Sequence, residues 1–389
     1  MPAVCFYFQV HQPIRLRRFS AFDIGKNSNY FDDDMNRFYM ERAAKKCYLP
    51  TNKKLMELID AHNGRFKVSF SLSGVFLEQL EMFCPDVLES FQRLVDTGNV
   101  EVFNETYYHS LAYLISKRDF VDQVRMHRKK IRSALGIRAN VFRNTEAMYS
   151  NDIAKLVEEL GYKAIIAEGL QHVLDWRSAN YLYRAKGSGI PVFLRNFKMS
   201  DDIAFRFSTR DWEEWPLTAD KFASWLSRAD GQVVNLFMDY ETFGEHQWAE
   251  TGIFDFLHHL PSECLKHPNL SFMTISEALS TFSPVGDFDV PHLSSWADVH
   301  RDLSAWLENK MQVQAFEEVK RLESAINKRK NRHLLHTWRK LLTSDHFYYM
   351  CTKWFADGDV HKYFNYYDTP YDAFLNYMNI LTDLKSRIQ

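Results

Sequence analysis

A chain of 389 residues, 46% of them hydrophobic, is long enough for one large domain plus a smaller one and can bury a sizeable core. Its formal net charge of −2 offers no broad basic field to nucleic acid or an anionic membrane, and no stretch is long and apolar enough to span a bilayer. Aromatic residues reach 15%, and core packing accounts for the Phe better than for the Trp; flat rings also stack on the apolar faces of pyranoses.

The amino-terminal run, residues 3–10, is apolar and is ended by the polar Gln9, His11 and Gln12. With no positive segment before it, it reads as a first strand and not as a signal peptide. The five cysteines (Cys5, Cys47, Cys84, Cys264, Cys351) are odd in number, widely spaced and without a Cys-x-x-Cys. Reduced thiols in a cytoplasmic protein are therefore expected, with no disulfide framework and no zinc knuckle.

Further strand-like runs follow at 65–72, 99–103, 139–142, 164–167, 191–195, 233–238 and 270–275. Helix-period stretches at 55–62, 86–97, 117–135 and 151–160 lie between them. This alternation implies βαβ units and a parallel sheet. Seven or eight units suggest a closed or incomplete barrel, with an open doubly wound sheet as the alternative. Polar residues gather where these runs stop: Gln9 to Pro13, Asn104 to His109, Thr145-Glu146, Glu168-Gly169 and Asp239 to Glu241. The runs begin instead with turn residues such as Asn63-Gly64, Gly98-Asn99 and Gly231-Gln232. Such asymmetry points to a site at the carboxyl-terminal rim of the strands.

Pro284 to Asp287 and Pro291-His292 mark a linker, and the strand signals then cease. Helices are expected over 298–322, 326–343, 345–354 and 372–388, which divides the chain into a barrel, residues 1–285, and a helical domain, residues 286–389. The basic run Lys328 to His333 reads as a solvated helix face.

Glu146 and Asp239 each end a run that reads as buried on both faces. Taken singly, each could be a strand-end carboxylate capping the next helix. Taken together at one mouth, they are the pair that glycosidic bond cleavage requires. Arg143, three residues before Glu146, would face away from it on a continuous strand. Glu241 would share a face with Asp239 on extended backbone, a reading that fails if a turn starts at Tyr240. Glu101, flanked by Val100 and Val102, would be costly on an inward face unless paired or functional. Tyr107, Tyr108 and His109 read as loop packing, Trp306 as helix core, and Asp345-His346 as a further rim candidate.

Five segments in order give the chain a resemblance to glycoside hydrolase family 57, a group of α-amylases, 4-α-glucanotransferases and related enzymes. They are His11-Gln12-Pro13, Gly98 to Val102, Arg143 to Glu146, Asp239-Tyr240-Glu241-Thr242-Phe243-Gly244, and the stretch 296–311. Two departures are Thr145 before the Glu and Asn309-Lys310-Met311 in place of a His-Lys pair. The resemblance implies an α/β fold: an incomplete (β/α)7 barrel followed by a helical domain that folds over the mouth. It implies a retaining enzyme on α-1,4-glucans or malto-oligosaccharides, with water or a second glucan as acceptor. Glu146 would be the nucleophile and Asp239 the general acid/base, its pKa raised by Glu146 and Glu241. His11, Glu101, Glu241, Trp296, Asp298 and Asn309 would bind substrate. No cofactor and no metal are implied, and without an export signal the glucan would be intracellular.

Two other classes compete. A metal-dependent deacetylase or zinc mannosidase needs Asp and His ligands at strand ends, whereas the adjacent pair His258-His259 falls in a helical stretch. A non-catalytic glucan-binding protein would lack one of the two acids.

Overall fold

The computed structural model describes residues 2–353 and 365–388. The first apolar run is β1, Ala3–Val10, buried along its whole length. Alternation decides where its side chains go. Val4, Phe6, Phe8 and Val10 pack outward against surrounding helices, while Ala3, Cys5 and Tyr7 join an inner cluster with Phe103, Val141, Ile166, Phe193 and Phe237. Both faces are thus apolar, as a helix-covered parallel sheet requires. Gln9, the last inward residue, leaves that core for the rim.

The other strands are β2 (Val68–Leu72), β3 (Val100–Phe103), β4 (Val141–Arg143), β5 (Ala164–Glu168), β6 (Tyr183–Ala185), β7 (Pro191–Arg195), β8 (Val233–Asp239), β9 (Ser271–Phe272) and β10 (Asp287–Phe288). One sheet has the order β3-β2-β1-β8, with β9 also paired to β1; the other has the order β10-β6-β7-β5-β4. All pairs are parallel except β6 with β7. The sheets approach each other at two seams. At one, Asn104 bridges Phe142. At the other, the Asn196 amide donates to the Asn235 carbonyl, and polar side chains complete the bonding. The Asn235 side-chain amide donates to the Leu194 carbonyl (2.9 Å) and Arg195 Nε to the Phe237 carbonyl (2.7 Å). The α/β architecture with a helical region after it is the one expected.

The expected strand over 270–275 shrinks to β9, because Thr274 caps a helix over Ile275–Thr281. The sheet continues past residue 285 through β10, and Ser294 bridges Tyr149. The later helices are shorter than periodicity suggests. Residues 298–303 form a loop with Asp298 (φ 58°) and Arg301 (φ 53°) in the left-handed region. Helices then run over Ser304–Leu307 and Lys310–Arg321. Lys330 (φ 52°) breaks the next expected helix into Glu323–Arg329 and Arg332–Leu341. The helix expected over 345–354 is Ser344–Tyr348; residue 354 lies outside the described residues. The last helix is Pro370–Ile388. These helices bury Trp306, Phe316, Trp338, Phe347 and Tyr377 together with Leu16, Phe19 and Tyr30 from the chain after β1. The basic run at 328–333 is exposed, as a solvated face should be.

Helices Asp33–Ala43 and Leu49–Ala61 are joined by a π turn, Ala44–Tyr48. Such turns often serve to aim a side chain. Gly244, in the loop after β8, lies against this turn: a Cβ there would come 2.0 Å from the Lys46 carbonyl oxygen, and its φ is +110°. Only glycine permits that approach. We expect Gly244→Ala to destabilise the fold by roughly 3 kcal/mol, read as a lowered melting temperature. Gly136→Ala, at a left-handed helix cap with open space around it, should cost less.

Candidate active site

A cavity of about 840 Å³ opens at the carboxyl-terminal ends of strands from both sheets. His11, Glu146, Asp239, Glu241, Trp296 and Asp298 line it, which brings together six of the eight residues singled out from the sequence.

β4 ends at Arg143, and Asn144 starts a tight turn by accepting from the Thr145 amide (2.9 Å) and donating to the Met148 carbonyl (3.1 Å). Glu146 then adopts left-handed backbone, φ 54° and ψ 27°. Such a conformation in a non-glycine residue costs roughly 1–3 kcal/mol and is held by its surroundings. Strand alternation therefore stops before Glu146, and Arg143 is not sent away from it. The Arg143 guanidinium is wholly buried over the Trp296 ring, 4.6 Å from its centre, and its charge acts on both Glu146 and Asp239.

Glu146 presents 18% of its side chain to the cavity. Its carboxylate accepts from Trp296 Nε1 (2.9 Å) and Ser344 Oγ (2.9 Å) and pairs with His109 Nε2 (3.3 Å). Burial alone would raise its pKa; the hydrogen bond and charge of His109, followed by the charge of Arg143, outweigh it and hold the group below the usual carboxylate range. Asp239 ends β8 beside Gln9 of β1. Burial and the charge of Glu146 push its pKa up to about 6. One carboxyl is thus kept ionised and the other kept close to protonation, the division of roles that acid/base chemistry on a glycoside needs.

A turn does begin at Tyr240, so Glu241 does not follow strand alternation. The turn itself delivers it to the cavity, where Tyr48 Oη donates to it (2.5 Å) from the π turn and Gln12 Nε2 approaches at 3.4 Å. Burial and the neighbouring Asp239 raise Glu241 to about 8. Glu241 is thus pushed towards its neutral form, and Glu146 is the carboxylate whose charge raises Asp239.

His11 lies between Ser73 Oγ (2.7 Å from Nδ1) and Asp345 Oδ2 (3.1 Å from Nε2). Its ring stacks on that of His109, with centres 4.1 Å apart. Burial and the charge of His109 lower its pKa. His109, read from the sequence as loop packing, joins Glu105 to Glu146. The available signal was the spacing of Glu105 and His109, four residues apart just after a strand. Tyr107 and Tyr108 do pack the loop, against Glu78 and His336. Of the pair at 345–346, Asp345 reaches the cavity, while His346 turns into the helical core beside Tyr377.

Also in the cavity wall, Arg195 bonds Asp201 (2.5 Å) and Glu168 (3.2 Å), and Arg301 approaches both acids at 3.9 and 3.7 Å. Asp298 pairs with Lys353 (3.4 Å). Two expected substrate contacts lie elsewhere. Glu101 sits near the start of β3, at the far end from the mouth, and compensates its burial by accepting from the backbone and hydroxyl of Ser276 at a helix start. Asn309 caps the helix Lys310–Arg321 and donates to the Met350 carbonyl (2.8 Å). Among the described residues no group of three or more His, Cys, Asp or Glu is placed to hold a metal ion. His258 and His259 lie on the helix Ile253–Leu265 and do not line the cavity.

A sequence profile described as glycosyl hydrolase family 57 matches residues 5–291. A protein of Methanocaldococcus jannaschii bearing the name "Putative alpha-amylase" is 46% identical over 99% of this chain and 85% of its own length. Among solved structures, the fold resembles a branching enzyme from Pyrococcus horikoshii (TM-score 0.68, 17% identity, 93% of this chain and 87% of that one). It also resembles a 4-alpha-glucanotransferase from Thermococcus litoralis (TM-score 0.65, 21% identity, 89% of this chain and 56% of that one). The chain belongs to glycosyl hydrolase family 57 and is a glycosidase of that family.

Proposed function

We propose that the enzyme is a retaining, α-amylase-like glycosidase acting on α-1,4-glucans, with Glu146 as nucleophile and Asp239 as general acid/base. The observation carrying this reading is that Glu146 and Asp239 line one cavity in opposed surroundings: donors and His109 lower the pKa of Glu146, while burial and the charge of Glu146 raise that of Asp239 to about 6. The carboxylate of Glu146 attacks the anomeric carbon as the glycosidic bond breaks. The proton of Asp239 passes to the leaving oxygen. Asp239, now ionised, takes a proton from the acceptor, which displaces Glu146 with a second inversion. Water as acceptor gives hydrolysis; a second glucan gives transfer, the activity in the name of the Thermococcus litoralis relative. His11, Glu241, Trp296 and Asp298 would contact the sugar. All five cysteines are free and buried, which supports action in a reducing, cytoplasmic compartment.

Maltoheptaose digestion separates the outcomes. Shorter products alone mean hydrolysis, products both longer and shorter mean transfer, and an unchanged substrate rejects the reading. Glu146→Gln keeps the shape and removes the attacking charge, so kcat should fall by roughly three orders of magnitude or more while glucan binding persists. Near-normal turnover would refute the nucleophile.

The pH dependence follows from the same pair. Asp239 must hold its proton, so kcat/KM of the free enzyme should decline as pH rises through about 6. On the acid side it should decline only below the usual carboxylate range, where Glu146 protonates.

In Asp239→Asn, an activated aryl α-glucoside should form the glycosyl-enzyme and then stall. Azide should restore turnover and yield the α-glucosyl azide, because it attacks a β-linked intermediate. The β anomer belongs to rescue of Glu146→Ala, and finding it with the Asp239 variant would reverse the two assignments.

A further inference from the structure

Two imidazole rings, His11 and His109, stack in the cavity wall with centres 4.1 Å apart and planes inclined by 22°. Their hydrogen-bond partners decide where the protons sit. Nδ1 of His11 faces the hydroxyl of Ser73, which can donate, and Nε2 faces the carboxylate of Asp345. One proton, on Nε2, is enough to satisfy that ring, and burial and the charge of His109 favour its neutral form. Both nitrogens of His109 face carboxylates: Nδ1 lies 2.7 Å from Glu105 Oε2 and Nε2 lies 3.3 Å from Glu146 Oε1. An ionised carboxylate only accepts, so both nitrogens must carry hydrogen, and the ring is an imidazolium.

Neither carboxylate needs a proton of its own. Glu105 is wholly buried and also accepts from Ser71 Oγ (2.5 Å) and Gln9 Nε2 (3.3 Å). Glu146 accepts from the indole of Trp296, a group that can only donate. Charged and titratable groups act on His109 from several elements: Glu105 after β3, Glu146 after β4, His11 after β1, His127 on the helix Lys117–Leu135, Asp239 at the end of β8, and Asp345 on the helix Ser344–Tyr348, while Arg143 at the end of β4 acts on Glu105, Glu146 and Asp239. The carboxylates outnumber Arg143 as the competing cation, and burial lowers the pKa of His127 and His11.

We propose that His109 is a positioning residue: an imidazolium held by Glu105 that orients the Glu146 carboxylate and keeps it charged. This rests on the reading of Glu146 as nucleophile. Glu105 has a separate purpose in the arrangement. When Glu146 becomes a neutral glycosyl ester, an imidazolium paired with Glu146 alone would lose its counterion. Glu105 keeps the cation in place, so that the Nε2 hydrogen can meet the carboxylate that re-forms as the ester is displaced. The titration of the ring fits: burial would lower it, but the charge of Glu105 and the hydrogen bonds to both carboxylates raise it to about 9, while Glu105 falls to about 2.

The test pairs a spectroscopic readout with a kinetic one, on the full chain and its Glu105→Gln and His109→Gln variants. In nitrogen NMR of histidine-labelled protein, the His109 ring, assigned by its loss in His109→Gln, should carry two N–H groups at pH 7 and lose one near pH 9. In Glu105→Gln that loss should move to lower pH. The acid limb of kcat/KM should move to higher pH by about one unit or more in His109→Gln, since a nearby opposite charge depresses a carboxyl by roughly 1–3 units. A near-tenfold loss of rate on the acid side would accompany a one-unit shift. If His109→Gln does not fold, His109→Asn takes its place in both readouts. A neutral His109 ring at pH 7, or an unmoved acid limb, overturns the proposal. Full activity in Glu146→Gln would reject the nucleophile, whereas the proton count on the His109 ring is read in the unsubstituted protein, so the two failures are distinguishable.

Discussion

A carboxylate taken out of water costs several kcal/mol unless donors and cations replace its hydration, and this cavity wall buries several. Glu105, Glu146, Glu168, Asp239, Glu241 and Asp345 all stand at or just behind it. Each is compensated by a different set of groups. Glu105 and Glu146 share His109, Glu168 has Arg195, Asp345 has His11, and Glu241 has Tyr48 and Gln12. Asp239 lies where burial and the charge of Glu146 favour its neutral form. Because the compensation is unequal, side chains of the same chemistry are pushed in opposite directions of protonation within one pocket.

The compensating groups come from distant parts of the chain. Trp296 meets Glu146 across 150 positions, Ser344 meets it across 198, and Asp345 meets His11 across 334. The sheets supply the acids, and the chain beyond residue 290 supplies much of what orients them. Such contacts form only once the helical region has docked on the rim, so the charge arrangement is a property of the assembled chain. Folding through contacts of this separation is slow. The apolar staple for the docking is the cluster that joins Leu16, Phe19 and Tyr30 to Trp306, Phe347 and Tyr377.

Local backbone departures fall at the same places. Glu146, His109 and Asp298 all have positive φ. Their strain is sustained because the surrounding bonds over-determine each position: the Glu146 carbonyl accepts from the Trp296 amide (3.1 Å), and the His109 carbonyl accepts from Ser344 (3.0 Å). The π turn at Ala44–Tyr48 and the close approach at Gly244 are further irregularities that set the hydroxyl of Tyr48 against Glu241.

Apolar runs ending in polar rim residues were enough, from sequence, to place most of the strands, though not β6 or β10, and to put Glu146 and Asp239 at one mouth of parallel sheets, since burial on both faces leaves a strand little other choice. The long, well-capped helices, such as Lys117–Leu135 between Ser116 and Gly136, were equally legible because their signals are local. Where backbone left the regular periods, the sequence was silent. Alternation put Arg143 on the wrong side of Glu146 because one left-handed residue redirects the chain. It allowed Glu101 an active role although that residue lies at the opposite end of its strand. It also passed over His109, which acquires its significance only from Glu105 behind it and Glu146 in front. Residue types and their order determined which chemistry was present. Which carboxyl is charged, which imidazole is protonated and which indole holds the acid in place depend on desolvation and on contacts across hundreds of positions, and these exist only in the folded chain.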